Sequence, residues 1–185
     1  DEEILLDVNV LAKGHSYYAI GGLSISPSNQ YLAYGEDTVS RRIYTLKVKD
    51  LHTGNLLDVN IQRTTGGATW AEDNETLFYT EKEEKSLRSA KIFSYNVFNH
   101  ESQLRYHETD DTFNCGVYKS KSKKYIIITS GASITSEFRY INAQTPHAEF
   151  TIFQERIRGL EYGITHFEDK WYVLTNWDAQ NFRLM

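Results

Sequence analysis

Short apolar runs separated by polar turns set the pattern of this chain, and the runs recur. YLAYGED at Tyr31, TLFYTEK at Thr76, YIIITSG at Tyr125 and WYVLTNW at Trp171 begin 45, 49 and 46 residues apart. Each follows a polar turn, such as Ser28-Asn29-Gln30 before the first and Asp73-Asn74-Glu75 before the second. Three further strand-like pieces keep the same period. One precedes each run: GLSIS at Gly22, GATWA at Gly67, CGVYK at Cys115 and YGITH at Tyr162. Another follows it: IYTL at Ile43, IFSY at Ile92, FRYI at Phe138 and FRLM at Phe182. The last recurs as ILLDVNV at Ile4, LLDVNIQ at Leu56, QLRYHET at Gln103 and FTIFQER at Phe150.

About four strands in 45 to 49 residues is the signature of a β-propeller blade. A lone four-stranded blade cannot bury both faces, so blades stack radially and each covers its neighbour. The expected fold is all-β, a β-propeller fragment of about four blades with four antiparallel strands per blade. A β-sandwich of similar strand count is the alternative, but sandwiches seldom repeat at a fixed period. YIIIT and WYVL, apolar throughout, are expected as inner strands covered on both faces. YTLKVKD alternates after Tyr44, as a half-solvated outer strand does.

With strands a to d counted outwards from the axis, the chain reads d, then abcd three times, then abc. Residues 1–14 are then the outer strand of a preceding blade, and 15–63, 64–110 and 111–158 are complete blades. Residues 159–185 supply the first three strands of another. Pairing of Ile4 to Val10 beside Phe182 to Met185 would close a four-blade ring with no bare edge. An open arc, or two chains completing each other, are the alternatives.

Tyrosine, with 13 copies against 3 of Trp, supports sheet over helix. A net charge of −5 with no block of Lys or Arg argues against nucleic acid as a partner. The single cysteine, Cys115, cannot form an internal disulfide, and a buried thiol fits a reducing compartment. No apolar run approaches the roughly 18 residues of a membrane span, and no signal peptide begins at Asp1, so no membrane partner is expected.

No cofactor or metal is expected either. His107, Glu108, Asp110 and Asp111 match no standard ligand spacing and read as a solvated turn between blades. Asn74-Glu75-Thr76 is a glycosylation sequon in form only, placed in an a–b turn. EKEEKSLRSAK from Glu81 reads as an exposed b–c loop. Glu36, Asp37, Arg41 and Arg42 stand apart, because they gather four charges in one b–c loop at a rim, where propellers meet partners. On an extended strand the adjacent Arg41 and Arg42 would point to opposite faces. One is expected to pair with Glu36 or Asp37 and the other to point outwards.

The run SPSNQYLAYGEDTVSRRIYTLKVKDLHTG closely resembles the propeller of the prolyl oligopeptidase family of serine peptidases. EEILLDVN, GATWAEDNETLFYT, EFRYINAQ and NFRLM extend the resemblance across the chain in the family's order, and EDTVSRRIYT narrows it to the oligopeptidase B (protease II) branch. Asn29 and Ser40 depart from the pattern, standing where it commonly has Gly. The resemblance implies a cytoplasmic peptidase that cleaves short peptides after Lys or Arg. In such enzymes a propeller caps a C-terminal α/β-hydrolase peptidase domain carrying a Ser-Asp-His triad, and excludes large proteins.

That triad needs a nucleophile elbow of G-x-S-x-G type. None occurs here, since SGAS at Ser130 lacks the spacing. The resemblance therefore assigns no catalytic residue to this chain. The implied partners are the peptidase domain of the same parent chain and short basic peptides, with Glu36, Asp37, Arg41 and Arg42 as candidate interdomain contacts. A stand-alone propeller serving as a protein-binding scaffold is the other function class.

Overall fold

The computed structural model describes residues 2–185; Asp1, part of the segment expected as an outer strand, lies outside the described residues. One turn of helix, α1 (Val8–Leu11), precedes fourteen strands. The first seven are β1 (Ala19–Ile25), β2 (Tyr31–Asp37), β3 (Tyr44–Asp50), β4 (Ile61–Trp70), β5 (Thr76–Lys82), β6 (Ser89–Asn96) and β7 (Ser102–His107). Then come β8 (Asn114–Lys119), β9 (Tyr125–Ala132), β10 (Thr135–Asn142), β11 (Thr151–Gln154), β12 (Tyr162–Phe167), β13 (Lys170–Thr175) and β14 (Arg183–Leu184). Sequential antiparallel pairing groups them into sheets of seven (β1 to β7), four (β8 to β11) and three strands (β12 to β14).

The second strand of each unit sits where the apolar runs predicted. In β2, β5 and β9 consecutive residues are buried: units on both sides cover β5 and β9, while β2 has the second unit on one face and the N-terminal segment, through Tyr18, on the other. In β3, Leu46 and Val48 are buried while Lys47 and Lys49 are not, the alternation of an outer strand. The turn before each second strand carries a left-handed residue: Asn29 (φ 61°), Asn74 (φ 64°) and Lys123 (φ 64°) at the same place, and Glu168 (φ 55°) in the shorter fourth turn. Asparagine takes this conformation at low cost. Asn29 and Ser40 (φ 60°), the two positions where the resemblance led to an expectation of Gly, are both left-handed.

Three expectations need correction. First, ILLDVNV is not a strand. Asp7 caps α1 by accepting from the Asn9 and Val10 amides, and residues 2–18 lie against the first unit instead. Lys49 Nζ donates to the Leu5 carbonyl (2.8 Å) and the Tyr18 hydroxyl to Glu36 (2.8 Å). Because this segment pairs with no strand, and β14 pairs only with β13, the sheets do not close into a four-blade ring.

Second, LLDVNIQ is not one strand: Leu56 makes an isolated bridge to Lys49, and only its last two residues, Ile61 and Gln62, enter a strand. The outer strand of the first unit starts at Ile61 and continues without a break into the inner strand of the second, as the ten-residue β4. The 63/64 boundary therefore falls inside a strand. Glycines permit the crossing. Gly66 has φ 90°, and a Cβ on Gly35 would lie 2.5 Å from the Gly66 Cα, so the two backbones are in direct contact.

Third, WYVL is not covered on both faces. Exposure alternates along β13, with Tyr172 and Leu174 outward, because no described unit packs beyond it.

Three clusters fill the seams between units. Ala33 and Val48 meet Trp70 and Leu77, Phe78 and Ile92 meet Ile126 and Ile128, and Ile127 and Phe138 meet Tyr162 and Ile164. Polar bonds cross the seams one repeat apart. Trp70 Nε1 donates to the Ser24 carbonyl (3.0 Å), Tyr118 to the Ile164 carbonyl (3.3 Å), and Lys119 Nζ to Glu72 (2.6 Å). Asn74 accepts from the Ser28 amide (2.6 Å), so the sequon asparagine is a seam residue. Cys115 is buried, and burial followed by the nearby Glu108 charge pushes its thiol up to about 12, an unreactive state.

Candidate functional site

Strand direction alternates, so b–c loops and the crossovers between units emerge at one rim, and a–b turns at the other. The charged loop of the first unit lies at the crossover rim. Asp37, at the end of β2, is 1% exposed. Its carboxylate accepts the backbone amides of Val39 (2.9 Å), Arg41 (3.0 Å) and Arg42 (2.8 Å). A buried carboxylate needs such donors, and this one obtains them by curling the loop beneath it.

Ser40 (φ 60°) and Arg42 (φ 53°) are left-handed, so the loop is not extended and the alternation expected of Arg41 and Arg42 does not apply. Both side chains are exposed, and neither forms an ion pair among the described residues. Lys82 Nζ of the second unit donates to the Arg42 carbonyl (2.7 Å). Glu36 accepts from Tyr18 and lies 3.7 Å from Lys47 Nζ. Burial, then the bond to Glu36, raises the Tyr18 hydroxyl above its ordinary range. Of the four charges, Asp37 shapes the loop, Glu36 is engaged within the first unit, and the two arginines face solvent.

A second cluster on this rim escaped the sequence. Glu108, expected in a solvated turn, has a side chain only 3% exposed. It lies on the crossover from β7 to β8 and accepts from Arg156 (2.7 Å), Tyr106 (2.7 Å), Ser130 and the Asp110 amide (3.0 Å). Burial alone would raise its pKa, but the bonds from Arg156, Ser130 and Tyr106 outweigh burial and hold it at about 2. Burial likewise works against the Arg156 charge, and Glu108 more than restores it.

The Arg156 guanidinium also lies 3.8 Å from the centre of the Phe113 ring. Arg139 packs over Tyr106 (4.4 Å), with Nη1 2.6 Å from Glu137. That contact is ionic, because the N–H is not aimed at the oxygen. Arg88, expected in an exposed loop, is 9% exposed and donates to the carbonyls of Glu108, Asp110 and Phe113. Arg156 stands 48 residues from Glu108, one repeat away, and only the repeat period could have suggested the pair. Among the described residues no three His, Cys, Asp or Glu side chains converge as metal ligands. A cleft of about 600 Å³ opens beside the cluster, lined in part by Phe113, Ile134, Arg156 and Arg158.

Two serines, Ser130 and Ser122, are engaged by neighbouring side chains. Ser130 donates to Glu108. His166 Nδ1 is 2.8 Å from Ser122 Oγ, but this ring sits between Tyr125 and Trp171 and bonds no carboxylate among the described residues. Ser28, two repeats earlier, fills the same turn position as Ser122 and bonds to the equivalent serine, Ser26, as Ser122 does to Ser120. Ser122 is a turn residue.

The sequence model described as "Prolyl oligopeptidase, N-terminal beta-propeller domain" matches residues 1–185. A dipeptidyl aminopeptidase BI from Pseudoxanthomonas mexicana is 37% identical across the whole chain, which covers 26% of that relative. A protease 2 from Moraxella lacunata is 31% identical, again over the whole chain and 27% of the relative. The chain thus spans about a quarter of the length of these relatives. Oligopeptidase B from Trypanosoma brucei, in a closed form with covalently bound antipain, superposes with a TM-score of 0.89 at 29% identity, over 100% of this chain and 26% of that one. Oligopeptidase B from Leishmania major gives 0.93 at 23% identity over 99% and 26%, a likeness of fold. The chain belongs to the prolyl oligopeptidase family of serine peptidases, and within it to the N-terminal β-propeller domain.

Proposed function

We propose that this chain is the non-catalytic propeller of an oligopeptidase B-like cytoplasmic serine peptidase, capping its active site and admitting only short peptides, cleaved after Lys or Arg. The observation that carries this reading is the match of all 185 residues to the family's propeller, joined to relatives about four times as long. The catalytic triad then belongs to a C-terminal α/β-hydrolase domain of the parent chain. In this reading the chain alone is inactive and contributes three complete blades and the first three strands of another.

The rim of Glu36, Asp37, Arg41 and Arg42 faces that domain. Asp37 fixes the loop, and Arg41 and Arg42 reach across to carboxylates of the peptidase. The parent enzyme tests the reading with a blocked Arg-containing fluorogenic peptide. Turnover by the parent, abolished by a serine-directed inhibitor and absent from the 185-residue chain, is expected; turnover by the chain itself would end it. The 37% identity to a dipeptidyl aminopeptidase favours a second reading of the substrate end, removal of dipeptides from free N-termini. Faster cleavage of an unblocked than of a blocked substrate would select it.

A further inference from the structure

Two crossovers at one rim are fastened to each other by side chains. Residues 108–113 lead from β7 to β8, and residues 155–161 from β11 to β12. Glu108 of the first receives Arg156 of the second at 2.7 Å, and Arg156 lies on the ring of Phe113, also on the first. Arg88 grips the first crossover from the other side through three of its carbonyls. The earlier crossover, through Gly66 in β4, is a continuous strand packed backbone to backbone and has no such pair.

The cluster pairs its charges internally. Arg88, Arg139 and Arg156 face Glu83, Glu108 and Glu137, and the exposed Asp111 adds a fourth carboxylate beside Arg88. It is also imperfectly bonded. The buried side-chain atoms without a hydrogen-bond partner among the described residues, Arg88 Nε, Arg139 Nη1 and Arg156 Nε, all belong to it. Removing charges from water and leaving donors unpaired is a poor route to stability, and well-packed apolar residues often do as well. Such a pair is better suited to fixing register.

We infer that Glu108 and Arg156 form a latch that makes the two successive crossovers open and close together, holding the third unit in place from both of its seams. Local opening at either crossover then requires the pair to part, so the two openings are one event. The unit's rim, including the cleft between the crossovers, is either wholly set or wholly released.

Hydrogen exchange read by mass spectrometry on the full chain tests this. In Arg156→Gln, exchange is expected to rise at least tenfold in a peptide covering 108–119, one repeat away from the substitution. In Glu108→Gln the same rise is expected over 155–161. The double variant should match the single ones, because a broken latch cannot break twice. Peptides from β2 and β3 should keep wild-type exchange. Effects confined to the substituted crossover, or additive effects in the double variant, would overturn the latch. Should a Gln variant unfold globally, Arg156→Lys carries the test, since it keeps the charge but loses the paired N–H geometry and the flat stack on Phe113. It should loosen both peptides together, and loosening of 155–161 alone would overturn the inference.

Discussion

Lys82 Nζ donates to the carbonyl of Arg42 at 2.7 Å, so the second unit holds the rim loop of the first by its backbone. Asp37 holds the same loop from beneath through three amides. The two exposed arginines are thus carried on a fixed backbone.

Replacing Asp37 by Ala leaves those amides without their acceptor in a partly buried loop. A loss of about 1–3 kcal/mol is expected in urea denaturation. Lys82→Ala, which removes one exposed bond, should cost under about 1 kcal/mol. Equal losses would show that Asp37 does not shape the loop.

Gly35→Ala should destabilise far more than Gly67→Ala. A Cβ at Gly35 meets Gly66 backbone atoms at 2.5 and 2.7 Å, whereas one at Gly67 meets nothing within 4 Å. Forcing backbone apart at a seam costs about 1–3 kcal/mol or more. Gly67→Ala is expected within about 0.5 kcal/mol of wild type. The check is a pair of chemical denaturation curves, and similar midpoints for the two variants would contradict the close approach.

Acid should act on two groups in separate windows. The Glu108 carboxyl falls from 4.5 to about 2 in the fold. Its stabilising share is therefore present above about pH 4.5 and lost as pH drops towards 2. The stability gap between wild type and Glu108→Gln should narrow over that range. His166 is pulled below 6.5 by burial and then by Lys124, with Asp169 opposing. The unfolded chain then binds its proton first, so stability should begin to fall below about pH 6.5. His166→Gln should flatten that upper part of the profile and leave the lower part unchanged.

In the parent enzyme, Arg41→Ala and Arg42→Ala are expected to lower activity several-fold at low salt and less at high salt, with fold stability kept. A partly buried interdomain pair is worth more than the ~0.2–1 kcal/mol of an exposed one, and added salt screens what remains exposed. Wild-type activity and domain closure in both variants would mark the loop as merely solvated.

Strand order and most strand positions were legible, because period and polarity are local. YLAYGED, TLFYTEK and YIIITSG fall on β2, β5 and β9. The first strand was misread since ILLDVNV is as apolar as a strand, while Asp7 supplies a helix cap that outweighs it. The fusion of two strands into β4 depends on Gly66 and Gly67 meeting Gly22 and Gly35 across space, which no local pattern reveals. Likewise Asp37 and Arg42 were visible as charges, but Asp37 accepts backbone amides and Arg42 accepts Lys82 through its own carbonyl, bonds invisible to a reading of side-chain signs. Glu108 reads as solvated because it stands with Asp110 and Asp111 in a polar turn of no ligand spacing; only the fold brings Arg156 to it.

The central claim, a propeller that filters substrates for a peptidase it does not itself contain, meets its most direct test in one size comparison. Purified parent enzyme and the 185-residue chain are each given a short Arg-containing peptide and the same cleavage sequence embedded in a long folded protein. The parent should cleave the short peptide and spare the embedded site, while the chain alone cleaves neither. Cleavage of the embedded site at a rate like that of the free peptide, or any cleavage by the chain alone, would contradict the account.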